Sequence, residues 1–139
     1  MVVADTGAVL ALLDSDDRHH RALRTVFEER PSAWRIPWAV LPEVDYLATT
    51  QLGQHVAQAF LDDLAEGRFI IEWGDEADLL RARELCKRYK DLALGLVDCI
   101  VIAVAERRRA DAIATLDLRH FGVVKMRTKP RLIPRDLEV

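Results

Sequence analysis

The chain has 139 residues, half of them hydrophobic and 31% charged, with a formal net charge of −3. That balance excludes disorder, collagen and coiled-coil arrays as global descriptions, and the length suits one domain, 1–139, around a single core. No apolar run approaches the roughly 20 residues needed to span a bilayer, so no membrane association is expected.

Met1-Val2-Val3-Ala4-Asp5 has no basic region and meets an acid at once, unlike a secretory signal. Cytoplasmic residence is therefore expected. The two cysteines, Cys86 and Cys99, fall in segments that read as helices. Both are expected to be reduced, buried thiols.

Val2-Val3-Ala4 is a short apolar run that reads as a buried parallel strand. Thr6 to Leu13 reads as a short helix. Asp16 or Asp17 is placed to cap a second helix, in which Ala22, Leu23, Val26 and Phe27 recur at helical spacing. Pro31-Ser32 stops it, and Ala33 to Ile36 is a second strand. A third helix is expected from Ala39 to Gln51, with Pro42 in its first turn, where a missing N–H costs little. Gly53 separates it from a fourth, Gln54 to Ala65. Arg68 to Trp73 reads as the third strand. A fifth helix runs from Asp75 to Lys90, with Leu79, Ala82, Leu85 and Cys86 on one face. Asp98 to Arg108 is the most apolar helix and is expected to lie centrally. Ala112 to Leu116 is a fourth strand. Val123-Val124 and Arg131-Leu132-Ile133 are candidates for an edge strand.

Strands alternating with helices predict an α/β fold, a parallel sheet with helices on both faces. Such sheets bind ligands beyond the carboxyl ends of their strands. Asp5 falls at the end of the first strand and Asp117 at the end of the fourth. Asp98 falls in the first turn of the central helix, where its charge suits the helix dipole. Glu43 falls in the first turn of the third helix. Each acid taken singly also fits a cap, turn or solvated first-turn residue. Taken together on one rim they would repel one another unless a cation sat among them. Hard oxygen donors of this kind suit Mg²⁺ or Mn²⁺, which activate water and offset charge on a phosphoryl oxygen.

Net charge hides an asymmetry. Residues 106–135 hold nine Lys/Arg, among them Arg127, Lys129 and Arg131, against three acids, a net +6. Either a polyanion partner or a solvated surface accounts for this. Other phosphate chemistries fit poorly. A haloacid-dehalogenase-like phosphatase needs Asp-x-Asp after the first strand, where this chain has Asp5-Thr6-Gly7. No P-loop run exists. A receiver domain needs a mid-chain acceptor Asp, and the third strand ends at Glu72-Trp73-Gly74.

Four pieces of the sequence resemble the PIN-domain family, and within it the VapC-type toxins of toxin–antitoxin pairs. They are Val3-Ala4-Asp5-Thr6, Pro42-Glu43-Val44-Asp45-Tyr46-Leu47, Leu94-Gly95-Leu96-Val97-Asp98, and Ala114-Thr115-Leu116-Asp117 followed by Leu118-Arg119-His120-Phe121. The resemblance implies a three-layer α/β/α sandwich around a parallel sheet. It implies a Mg²⁺- or Mn²⁺-dependent endoribonuclease whose acids are Asp5, Glu43, Asp98 and Asp117. Thr6 and Thr115 match hydroxyl positions close to such a site. A homodimer and a cognate VapB-type antitoxin are implied as partners, with RNA as substrate. The alternative is a non-catalytic binding module that keeps the fold for regulation. After Asp-Thr the family more often has Ser, and here Gly7 stands in its place.

Secondary candidates follow from position. Arg119 and His120 adjoin Asp117 and are placed to contact the RNA backbone, or to pack in a loop. Asp91 either bolsters the acidic rim or caps. Adjacent His19 and His20 point about 100° apart on a helix and make a poor metal pair. Trp34, Trp38 and Trp73 serve either base stacking or packing. Tyr46, Leu47, Val56, Phe60 and Leu64 form either ordinary core or a groove for an antitoxin helix.

Overall fold

A computed structural model describes residues 1–137. Its centre is a five-stranded parallel sheet of β1 (Val2–Ala4), β2 (Trp34–Pro37), β3 (Ile71–Glu72), β4 (Ala112–Ala114) and β5 (Arg131–Ile133). The spatial order is β3-β2-β1-β4-β5. Val3 pairs with Arg35 on one side and Ile113 on the other. Val3, Ala4, Ala112, Ile113 and Ala114 are all buried. Successive residues of a strand face opposite ways, so both faces of the central strands are covered.

Helices α1 (Thr6–Leu13), α2 (His20–Glu29), α3 (Leu41–Gln51) and α4 (Gln54–Ala65) form one packed group. Helix α5 (Glu76–Arg88) lies along α6 (Leu96–Arg107), and α6 packs on β1 and β2. The apolar sequence of α6 explains its place, since Cys99, Val101, Ile102, Ala103, Val104 and Ala105 are all buried. A single turn, α7 (Leu118–Phe121), follows β4. Among the described residues no helix is long and apolar enough to cross a membrane.

Several boundaries differ from the sequence reading, each for a local reason. Helix α2 starts at His20 rather than after Asp16 or Asp17. Asp14 Oδ1 accepts from the Asp16 N–H and Asp17 Oδ1 from the His19 N–H, so these acids close turns ahead of the helix. The third strand shrinks to Ile71–Glu72, because β2 offers it only Ile36 and Pro37 as partners. A short turn, Trp38–Val40, precedes α3, and Pro42 takes the expected place in its first turn. Val123 and Val124 form no strand, since both N–H groups point back at the His120 carbonyl. Arg131–Ile133 supplies the edge strand. Cys99 is buried as expected, but Cys86 is only half-buried.

Candidate metal centre at the carboxyl edge of the sheet

Asp5 and Asp117 stand at the carboxyl ends of β1 and β4, and Asp98 lies close enough to interact electrostatically with both. Asp5 directly follows β1, and its backbone N–H donates to Ala114 O of β4 at 2.8 Å. That bond extends the ladder one residue and holds Asp5 against the β4 terminus. Asp5 is 5% exposed. The Thr115 hydroxyl donates to Asp5 Oδ2 at 3.0 Å and accepts from the Asp117 N–H at 3.0 Å. One hydroxyl thus joins the strand-end residues of β1 and β4.

Asp98 sits in the first turn of α6, as its helix-start position predicts. Asp117 caps α7 and accepts from the His120 N–H at 3.1 Å. His120 then turns its ring onto the acids. Its Nδ1 lies 2.7 Å from Asp117 Oδ2 and 3.4 Å from Asp98 Oδ2. Its Nε2 lies 3.0 Å from the Leu92 carbonyl. A carbonyl and a carboxylate are both acceptors, so a ring bonded to both carries hydrogen on both nitrogens. The bond to Asp117 accordingly raises the His120 pKa. One ligand atom from each of Asp98, Asp117 and His120 lies within 4.8 Å of the others.

The electrostatics call for a cation. Burial, with the charges of Asp98 and Glu43 adding to it, pushes Asp5 up to about 6. Burial and the neighbouring Asp117 carboxylate also raise Asp98. Glu43 is an exposed residue in the first turn of α3, and its charge reaches both acids. Thr6, directly after Asp5, has a buried hydroxyl oxygen with no hydrogen-bond partner. Carboxylates raised by burial and mutual repulsion, beside an unsatisfied hydroxyl, fit a hard divalent ion. A cation there would relieve the repulsion that the His120 imidazolium only partly offsets.

The structure separates the remaining sequence candidates. Asp91 is exposed in a turn, Lys90–Leu92, whose Leu92 carbonyl meets His120. Arg119 is exposed on α7, beside the acids. Arg131 pairs with Ala112, at the amino end of β4 and the opposite edge of the sheet from Asp5. Arg131 and Lys129 line a groove of about 760 Å³ there, together with Arg30 and Arg109. Arg127 lies near Glu84, at 3.3 Å, and its backbone N–H donates to Glu106. His19 accepts from Arg18, and His20 meets the Ala11 carbonyl, so the two rings are engaged apart.

Trp34 is core, whereas Trp38 and Trp73 stack on each other at 4.6 Å and stay half-exposed or more. They wall an apolar groove of about 610 Å³ floored by Phe60, Leu64 and Ile71. Tyr46 is exposed and is not part of the groove lining. A Cβ on Gly7 would meet only Leu116 carbons, at 3.7 Å or more, so a serine fits there without displacing anything. His120, by sequence a candidate RNA contact or packed loop residue, has its ring turned onto Asp117 and Asp98. The signal for that place was its i,i+3 spacing from Asp117 in a one-turn helix.

Comparison with known proteins agrees with this fold. The PIN domain family model matches residues 2–125. Ribonuclease VapC26 of Mycobacterium tuberculosis is 30% identical over 124 residues, 89% of this chain and 92% of that protein. The crystal structure of M. tuberculosis VapC20, a sarcin–ricin loop cleaving toxin, superposes with a TM-score of 0.72 at 19% identity, covering 81% of this chain and 87% of that one. DNA-bound VapBC from Salmonella typhimurium gives 0.70 at 18% identity, covering 94% and 95%.

Proposed function

Because the chain belongs to the PIN-domain family, we propose that it is a metal-dependent endoribonuclease, the toxin of a VapBC-type toxin–antitoxin pair. The observation that carries this reading is the convergence of Asp5, Asp98 and Asp117 on one rim, with Asp5 held at about 6 by burial and like charge. Nuclease activity accords with the VapC26 relationship. Residence in the cytoplasm, where RNA is met, belongs to the same reading.

Asp5, Asp98 and Asp117, with Glu43 reaching in from α3, would hold Mg²⁺ or Mn²⁺. When bound, such an ion supplies Lewis acidity that lowers the pKa of water and offsets charge on a phosphoryl oxygen. Thr115 fixes the Asp5 carboxylate relative to the α7 turn through its two hydrogen bonds. His120 keeps Asp117 and Asp98 oriented, its ring donating from Nδ1 to Asp117 and from Nε2 to the Leu92 carbonyl. Thr6 offers its free hydroxyl at the same rim, and exposed Asp91 adds only long-range negative charge. Attack by water needs no covalent link to a side chain and leaves a 5′-phosphate and a 3′-hydroxyl.

Arg119 is placed to meet RNA phosphates next to the acids. Lys129 and Arg131 meet RNA only where it extends to the far edge of the sheet. The apolar groove beside Trp38 and Trp73 suits an amphipathic antitoxin helix. A basic side chain following that helix would reach the acidic rim and stand in for the metal. A homodimer belongs to the same proposal.

The test is incubation of the purified chain with RNA in Mg²⁺ and then in EDTA, with end-labelled products. Cleavage is expected in Mg²⁺ only. No cleavage together with no Mn²⁺-dependent shift of Tm would overturn the enzyme reading in favour of a regulatory binding module.

A further inference from the structure

The two cysteines are 13 positions apart, on helices joined by a short turn. Helix α5 packs along α6, and the pairing brings Cys86 Sγ within 2.8 Å of Cys99 Sγ. That gap is under about 1 Å longer than a covalent S–S bond. Cys86 is half-buried and Cys99 fully buried. A small oxidant therefore reaches Cys86 first, while Cys99 waits beside it. Cys99 also directly follows Asp98 in the first turn of α6. Two contacting thiols of unequal exposure match the arrangement of an attacking and a resolving cysteine.

We propose that Cys86 and Cys99 form a redox-responsive thiol pair, oxidised by hydroperoxides to an intramolecular disulfide that staples α5 to the turn of α6 carrying Asp98. The chemistry balances in two steps. Cys86 sulfur attacks a peroxide oxygen, the O–O bond breaks, and the departing hydroxide takes the thiol proton as water. Cys86 is then a sulfenic acid, oxidised by two electrons. Cys99 sulfur attacks Cys86 sulfur, the S–O bond breaks, and the second hydroxide leaves with the Cys99 proton as water. One hydroperoxide group is reduced for each disulfide formed, and a dithiol reductant reverses the change. The bond closes a short loop whose ends already touch, so it constrains the unfolded chain with little native rearrangement.

The test uses the full chain with EDTA present, treated with hydrogen peroxide and then, once unfolded in guanidinium so that buried Cys99 is reachable, with a thiol-alkylating reagent. Reduced protein is expected to take two alkyl groups and oxidised protein none, with the mass of a monomer less two hydrogens. Tm of the oxidised form is expected to rise by roughly 5–15 °C and to return on reduction. Cys86→Ser should abolish both the mass loss and the Tm rise. Cys99→Ala, which keeps the buried site apolar, should leave Cys86 oxidising alone. Two free thiols after peroxide, disulfides only between molecules, or an oxidised form with lowered Tm would each overturn the proposal. None of these readouts requires nuclease activity or metal.

Discussion

His120 Nδ1 lies 2.7 Å from Asp117 Oδ2 and 3.4 Å from Asp98 Oδ2, which makes its imidazolium the positive charge between two carboxylates. The contact comes from α7, a helix of a single turn that Asp117 caps. Thus one short element supplies both an acid and its counter-charge.

His120→Ala should destabilise the metal-free protein by about 1–2 kcal/mol near pH 6, the worth of a charge-assisted hydrogen bond. Because Asp117 raises the folded pKa of His120, the stabilisation is present below its unfolded value of 6.5 and is lost as pH rises through the folded value. The gap between wild type and variant should therefore close in alkaline solution. Melts in EDTA across pH 5 to 9 measure it, and a constant gap would refute the assignment of charge.

Asp5→Asn should raise stability of the metal-free protein near neutral pH. The carboxyl is pushed from 3.8 up to about 6 by burial, so the folded state holds its proton more tightly than the unfolded one. Stability falls as pH rises from about 4 to 6 and stays lowered above, by up to roughly 3 kcal/mol. The variant lacks this titration, and Asn keeps an oxygen to accept from Thr115. Its advantage should grow with pH across that window and then level off. Denaturant melts in EDTA at pH 4 and pH 8 give the comparison.

Asp98→Asn separates a metal ligand from a helix-start residue. Without metal its stability should match or exceed wild type by about 0–2 kcal/mol, since it removes a charge near Asp117. With Mn²⁺, wild type gains stability by mass action and the variant gains less. RNA cleavage should drop by orders of magnitude. A variant with the wild-type Mn²⁺ shift and wild-type cleavage would remove Asp98 from the centre.

Charge reversals should divide the basic residues by sheet edge. Arg119→Glu, beside the acids, should weaken binding of short and long RNA alike. Lys129→Glu with Arg131→Glu, at the opposite edge, should spare short substrates. For long RNA the pair should lower affinity and reduce the salt slope by about two. Binding isotherms over a salt series, with EDTA present, provide the check.

Local pattern carried much of this structure. The strand at Val2–Ala4, the helices at Thr6–Leu13 and Gln54–Ala65, and the edge strand at Arg131–Ile133 lie where the sequence reading placed them. Strand-end and helix-start positions single out Asp5, Asp98 and Asp117 in the sequence itself. The short third strand was not legible, because its length is set by how much of β2 remains to pair with it.

What the sequence by itself determined were the α/β elements and the acids, through hydrophobic period and the chemistry of chain ends. Those signals are local, and residues within one turn or one strand impose them. Tertiary structure alone decided that Asp5 and Thr115, 110 positions apart, share a hydrogen bond. It also decided that His120 faces the acids and that Arg131 lies at the other edge. The reason is strand order. The sequence of pairings β3-β2-β1-β4-β5 fixes which carboxyl ends are neighbours, and it follows from burying both faces of β1 and β4 at once, a condition of the whole chain.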